Sequence, residues 1–187
     1  RKVWCGNMSH CTQAVIGRYK GYTYIYECVR DQYIRKVVDY ALAEANFGVG
    51  EEYGFTQEEM FQHLYKKPWK DKLDDTAKDF VTRVAADPMR KLARGDRYVG
   101  PALLCLKHGK MPFFLARGAA YLFLYKNDED KSCVEKDKII AELGIEKAIE
   151  KICQLDISNA NDKIIYDLIL NNYREILDHE VYPDQMA

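Results

Sequence analysis

Two stretches of this chain carry residue types that could do chemistry. Arg83 to Arg97 reads R-V-A-A-D-P-M-R-K-L-A-R-G-D-R, with five cations (Arg83, Arg90, Lys91, Arg94, Arg97) against two carboxylates, Asp87 and Asp96. A guanidinium is a planar fork of donors that grips phosphate or carboxylate bidentately. A solvated helix face with internal ion pairs has the same composition. The breaks at Asp87-Pro88 and Gly95-Asp96 bend the segment twice and argue for an anion site. The second stretch is the first ten residues, where Lys2, Asn7 and His10 follow K-x4-N-x2-H. If Trp4 to His10 is helical, Asn7 and His10 lie three apart on one face, and a lysine behind them can approach the same point. Lysine, amide and imidazole converging on one oxygen make a metal-free site for alcohol–ketone interconversion. The lysine serves as acid/base if burial and neighbouring cations bring its pKa from about 10.4 toward about 7–8. Asparagine and histidine then donate to the developing alkoxide. The spacing also fits a surface lysine, a capping asparagine and a core histidine.

Composition narrows the classes. The chain has 187 residues, enough for one domain with a proper core, and a net charge of −1, which argues against a general nucleic-acid or membrane-surface binder. No apolar run approaches the ~20 residues of a membrane span. The longest, Pro112 to Tyr125, is interrupted by Arg117 and Gly118. Six scattered cysteines without a C-x-x-C read as buried thiols of a reducing compartment, so a cytoplasmic location is expected. Asn7-Met8-Ser9 matches the glycosylation tripeptide but is discounted without a secretory signal. The chain opens on Arg1-Lys2-Val3-Trp4 without an initiator methionine, and is expected to be a fragment of a longer protein. The histidines show no i, i+4 pair, and Cys5, His10 and Cys11 lack a fourth ligand, so no metal site is expected. Gly48-Val49-Gly50-Glu51-Glu52-Tyr53-Gly54 superficially matches a dinucleotide loop. It follows a helical pattern where the motif requires a strand, and its glutamates would repel phosphate. It reads as a helix-terminating turn.

The elements that must position these groups are helices. Apolar residues recur with a 3.6 period nearly throughout, and no strand alternation stands out. Ser9 is a possible N-cap for a first helix, and Tyr22 to Arg30 resumes after Gly21. Asp31 caps Gln32 to about Asn46. Thr56-Gln57-Glu58-Glu59 is a capping box opening a helix to about Lys67. Helices are expected over Asp75–Val84, over Met89–Arg94 behind Asp87-Pro88, and over Arg97–His108 behind Asp96, closed by Gly109. Pro112–Tyr125 should be the buried central helix. A charged loop at Asn127–Lys131 precedes Ser132–Leu143, Ile145–Leu155 and Asn159–Leu177. The expected class is all-α, with about nine or ten helices around one core.

Taken together, Arg1-Lys2 … Asn7 … His10, Ala14 … Gly17 … Lys20-Gly21-Tyr22, and Arg83-Val84 … Asp87-Pro88-Met89-Arg90-Lys91-Leu92 … Asp96-Arg97 … Pro101 change the balance. In that order they resemble the C-terminal part of the polyol-specific long-chain dehydrogenases, in the mannitol-1-phosphate 5-dehydrogenase branch. The resemblance runs to about Tyr173. It implies an all-helical C-terminal domain over the whole of this chain, similar to that of 6-phosphogluconate dehydrogenase. It also implies metal-independent, NAD-dependent interconversion of mannitol 1-phosphate and fructose 6-phosphate. Lys2 then corresponds to the general acid/base, and Asn7 and His10 to the groups on the substrate oxygen. Arg83 and Lys91 match basic positions of the substrate pocket. Arg90 and Arg97 are assigned to phosphate from guanidinium geometry and the branch pattern; Arg94 is left open. Two departures stand: Asp74-Asp75 replaces the family's Asn-Pro, and the N-terminal Rossmann domain that holds NAD is absent from this sequence. This chain alone should therefore show no turnover. The implied partners are the sugar phosphate and that Rossmann domain, with no nucleic acid and no membrane. Two other readings remain: the same family acting on another polyol or a hexuronate, and a non-catalytic helical interaction module.

Overall fold

A computed structural model describes residues 2–64 and 78–179 of the chain. The described residues are helical with no named strand. A π-helical turn, Lys2–Asn7, runs into α1 (Met8–Tyr19), followed by α2 (Ile25–Arg30), α3 (Gln32–Tyr53) and α4 (Gln57–Leu64). After the undescribed residues come α5 (Val81–Ala85), α6 (Pro88–Leu92), α7 (Val99–Lys107), α8 (Phe113–Leu124), α9 (Lys131–Cys153) and α10 (Ala160–His179). The all-α expectation is met.

The caps legible in the sequence do most of the cutting. Asp31 Oδ1 accepts the Ile34 amide at 3.0 Å and starts α3. Thr56 and Glu59 exchange bonds, Thr56 N to Glu59 Oε2 at 2.8 Å and Glu59 N to Thr56 Oγ1 at 3.2 Å. Gly144, at φ 77°, breaks α9 into the two expected helices.

Four boundaries differ from expectation. Ser9 lies inside a helix that has already begun, its Oγ donating to the Gly6 carbonyl at 2.9 Å, so it caps nothing. α3 continues to Tyr53, and only Gly54, at φ 72°, ends it. Gly48 is therefore helix interior: a Cβ there would sit 2.9 Å from the Cys105 amide nitrogen, so glycine is what lets α3 press against α7. Helix α5 begins later than the expected Asp75–Val84, since residues 78–80 are not helical; 75–77, like Lys67, lie outside the described residues. α6 stops at Leu92 and α7 starts at Val99, because the intervening turn is held by backbone bonds from Ala93 to Arg90 at 3.1 Å and Asp96 to Ala93 at 2.9 Å.

α8 is the central helix, buried from Leu115 through Phe123 and packed against α1, α3 and α10. Its one charge is held through Nε and Nη1. Arg117 donates to Tyr33 Oη at 2.9 Å, Asn172 Oδ1 at 2.9 Å and Glu175 Oε2 at 3.2 Å. At its start, the Glu44 carboxylate of α3 accepts the Phe114 and Leu115 amides at 3.0 and 2.8 Å, filling two of the free donors of a helix N-terminus.

Burial pushes the Glu44 carboxyl up to about 7 despite those bonds. An acid raised in the folded state binds a proton that the unfolded chain releases, so its contribution to stability is present below about 4.5 and is lost as pH rises through about 7. At about 1.4 kcal/mol per pKa unit the ceiling is roughly 3 kcal/mol. Glu44→Gln should therefore gain stability relative to wild type between pH 5 and pH 8, read as urea midpoints at both pH values. An unchanged difference would refute the titration.

Candidate active site

The two chemically suggestive stretches, far apart in sequence, meet in space. Trp4, in the π turn, donates its indole N–H to the Gly95 carbonyl at 3.0 Å. Its ring lies on Gly100, where a Cβ would come within 2.8 Å of the indole nitrogen. The N-terminal turn is thus braced on the basic segment itself. A π turn closes i→i+5, so it lines up Lys2 with Asn7; an α turn, at about 3.6 residues, would swing Lys2 away. The following α-helix keeps Asn7 and His10 neighbours at i, i+3. Asn7 and His10 are half-buried. Lys2 is exposed, whereas its expected acid–base role asks for burial.

His10 Nε2 stands 3.6 Å from Asp79 Oδ2. Asp79 also takes two bonds from Arg83, at 2.8 and 2.7 Å. One carboxylate therefore links a candidate catalytic residue with a candidate substrate residue. Its backbone is fixed by a short antiparallel bridge, in which Ile25 N donates to the Asp79 carbonyl at 2.9 Å and Val81 N to the Thr23 carbonyl at 3.0 Å.

The remaining cations divide. Arg90 donates Nε to Asp87 Oδ2 at 2.5 Å and Nη1 to Asp96 Oδ2 at 3.1 Å. Arg97 donates Nε to Asp96 Oδ1 at 2.8 Å. These two guanidiniums converge on one anion. Lys91 is only 4% exposed, with Nζ donating to the Val84 carbonyl at 2.6 Å. Burial pushes its ammonium below the usual lysine range, with Arg97 and Arg90 adding to the effect. Arg94 turns elsewhere, gripping Asp162 at 2.5 and 2.9 Å and tying the segment to the first turn of α10. The solvated-face reading fits Arg83 and Arg90, which are more than half exposed, and fails for Lys91 and Arg97, which are buried.

The bend at Asp87 is held from outside. Asp87 adopts the left-handed region at φ 64°, ψ 58°, which is uncommon without glycine. Its amide donates to Asp130 Oδ2 at 2.8 Å, and the Met89 amide donates to Ser132 Oγ at 3.0 Å. The N-terminus of α9 thereby fixes where α6, and Arg90 on it, begins. Among the described residues, no three His, Cys, Asp or Glu side chains gather as metal ligands. The glycines at 48 and 50 are packed inside α3 and offer no dinucleotide cradle.

A family model described as the mannitol dehydrogenase C-terminal domain matches residues 1–174. The chain belongs to this family. Relatives carrying the name mannitol-1-phosphate 5-dehydrogenase agree. That of Thermoanaerobacter pseudethanolicus is 33% identical over 178 residues, covering 94% of this chain and 44% of that protein. That of Oceanobacillus iheyensis is 33% identical over 175 residues, covering 93% and 44%. That of Exiguobacterium sp. is 36% identical over 180 residues, covering 96% and 46%. The chain spans a little under half the length of these relatives.

In this mannitol dehydrogenase C-terminal domain, the groups that sequence reasoning passed over are Asp79 and Trp4, and Asp87 and Asp96, read there only as charges of the segment, prove to be individual arginine partners. Asp79, Asp87 and Asp96 each back an arginine, and Trp4 clamps the two stretches together. Asp79 and Arg83 lie at i, i+4 and Asp87 and Arg90 at i, i+3, spacings that the sequence displays. Nothing local marks Trp4 for its role.

Proposed function

We propose that this chain is the substrate-binding and catalytic domain of an NAD-dependent oxidoreductase interconverting mannitol 1-phosphate and fructose 6-phosphate. A Rossmann domain elsewhere in the polypeptide would hold NAD. The observation that carries the reading is the junction of the Lys2–Asn7–His10 turn with the arginine segment through Trp4 and Gly95, which supports reading a proton-handling end next to an anion-binding end.

In polyol oxidation, Lys2 as the free amine takes the proton of the reacting hydroxyl. Asn7 and His10 hydrogen-bond the same oxygen as negative charge develops on it. NAD, held outside these residues, supplies the hydride acceptor. In the reverse direction Lys2 returns the proton. The exposure of Lys2 leaves room for the Rossmann domain to cover it and supply the desolvation that its role requires. At the other end Arg90 and Arg97 take the phosphate. Arg83, next to His10 through Asp79, borders the polyol. Lys91, committed to the Val84 carbonyl, adds positive charge from beneath rather than a direct contact. No metal ion is assigned a role. The described cysteines are all free and buried, which supports a reducing, cytoplasmic setting; no described helix is long and apolar enough to cross a membrane.

The test is steady-state kinetics of the full-length protein on mannitol 1-phosphate and on free mannitol. The phosphorylated polyol should be strongly preferred. Arg90→Ala or Arg97→Ala should raise its KM about 10- to 100-fold, the worth of a charged hydrogen bond, with kcat little changed. Equal efficiency on both substrates would refute the phosphate role.

A further inference from the structure

The four arginines of the basic segment use their forks in different ways. Arg94 spends both terminal nitrogens on Asp162. Arg83 spends Nε and Nη2 on Asp79. Arg97 is bonded only through Nε, so both its terminal nitrogens lack an acceptor among the described residues, although its side chain is 9% exposed. Arg90 is bonded through Nε and Nη1, so its Nη2 is likewise left over.

The group that produces this pattern is Asp96. Its Oδ1 accepts both the Arg97 amide at 2.7 Å and Arg97 Nε at 2.8 Å, and its Oδ2 accepts Arg90 Nη1 at 3.1 Å. Its side chain is 16% exposed. It is not the N-cap of α7, a position held by Tyr98, so helix capping does not account for it. A carboxylate that pins a guanidinium by Nε leaves the terminal fork pointing onward, which is the end that binds an oxyanion bidentately.

We infer that Asp96 is the positioning residue for the Arg90–Arg97 pair and sets the preference for a phosphorylated over a free polyol. This rests on the function proposed above. Asp96 touches no substrate. It holds two cations of like charge side by side, with three terminal nitrogens left for the phosphate oxygens, so the cost of ordering long side chains is met before the ligand arrives.

The experiment compares kcat/KM for mannitol 1-phosphate with that for free mannitol, in the full-length protein and in Asp96→Asn. Asparagine has a single acceptor oxygen and no charge, and cannot hold both guanidiniums. Selectivity for the phosphorylated substrate should fall at least tenfold, almost entirely through KM, because the contacts exist in ground and transition states alike. A merely structural role would lower both substrates together and spare the ratio. Asp96→Glu keeps the charge and moves the carboxylate out by one methylene. It should show the same selective KM effect, and it decides the matter if Asp96→Asn does not fold. Selectivity retained in either folded variant would overturn the assignment. Wild-type protein that uses both substrates equally would remove the underlying function instead, and that result is read before any variant is made.

Discussion

Replacing Lys2 by Ala should lower kcat of the full-length protein by about 10²- to 10⁴-fold and leave KM for mannitol 1-phosphate within about twofold. That range is the usual worth of a positioned general acid–base group, and the proton it handles moves only on the way through the transition state. Lys2 is exposed and no described element leans on it, so the variant should unfold at the same temperature as wild type. That separates lost chemistry from lost structure. Retained kcat would refute the acid–base role, and a matching rise in KM would make Lys2 a binding residue instead.

The second large effect is on stability. Asp31→Ala should destabilise the fold by about 3–5 kcal/mol, the usual cost of breaking a buried ion pair by removing one member. Asp31 accepts Lys20 Nζ at 2.6 Å, Tyr22 Oη at 2.9 Å and the Ile34 amide at 3.0 Å. Lys20 and Asp31 side chains are 9% and 6% exposed. Alanine would take the carboxylate away from the buried ammonium and leave α3 without its N-cap, which alone is worth about 1 kcal/mol. The pH dependence has a definite sign. Burial by itself would push the Asp31 carboxyl up, but the bonds from Lys20, Ile34 and Tyr22 outweigh it and hold the carboxyl below the usual range. A depressed carboxyl stabilises above its unfolded pKa, and that contribution is lost as pH falls through the folded value. Urea denaturation at neutral and acidic pH should show the gap between wild type and variant closing toward acid. A gap under about 1 kcal/mol at neutral pH would contradict the buried-pair account. The Lys20-Gly21-Tyr22 element that carried part of the family resemblance thus acts at the α1–α3 joint.

What could be read from the sequence was local. Asp31 and the Thr56–Glu59 box are short-range hydrogen-bond solutions that stand at helix starts, and Asp87-Pro88 begins α6 through the fixed ring of proline without a side-chain cap bond. Gly48 misled because its propensity argues for a helix end, while its true constraint is the approach of Cys105 from α7. Charge composition located the arginine segment but could not tell Arg97 and Lys91, which are buried, from Arg83, which is solvated. That difference depends on which helices cover them. The contact between the two stretches was likewise invisible, since Trp4 and Gly95 are 91 residues apart and no periodicity joins them. The family resemblance supplied the association, and the indole brace gives it a physical basis.

The π turn at Lys2–Asn7 makes chain length itself a functional variable at this point. Each hydrogen-bonded ring of a π turn holds one residue more than its α counterpart. Removing Val3 or Gly6 would let the segment relax into ordinary α-helix with Lys2, Trp4, Asn7 and His10 all retained. Lys2 would keep its alignment, four residues before Asn7 and seven before His10 on one α-helical face, while Trp4 between them would turn away from its seat on Gly100. A chemist transplanting the three residues into an unbroken α-helix would space them at i, i+4 and i+7, and would then have to rebuild the indole brace and a glycine platform for it to rest on.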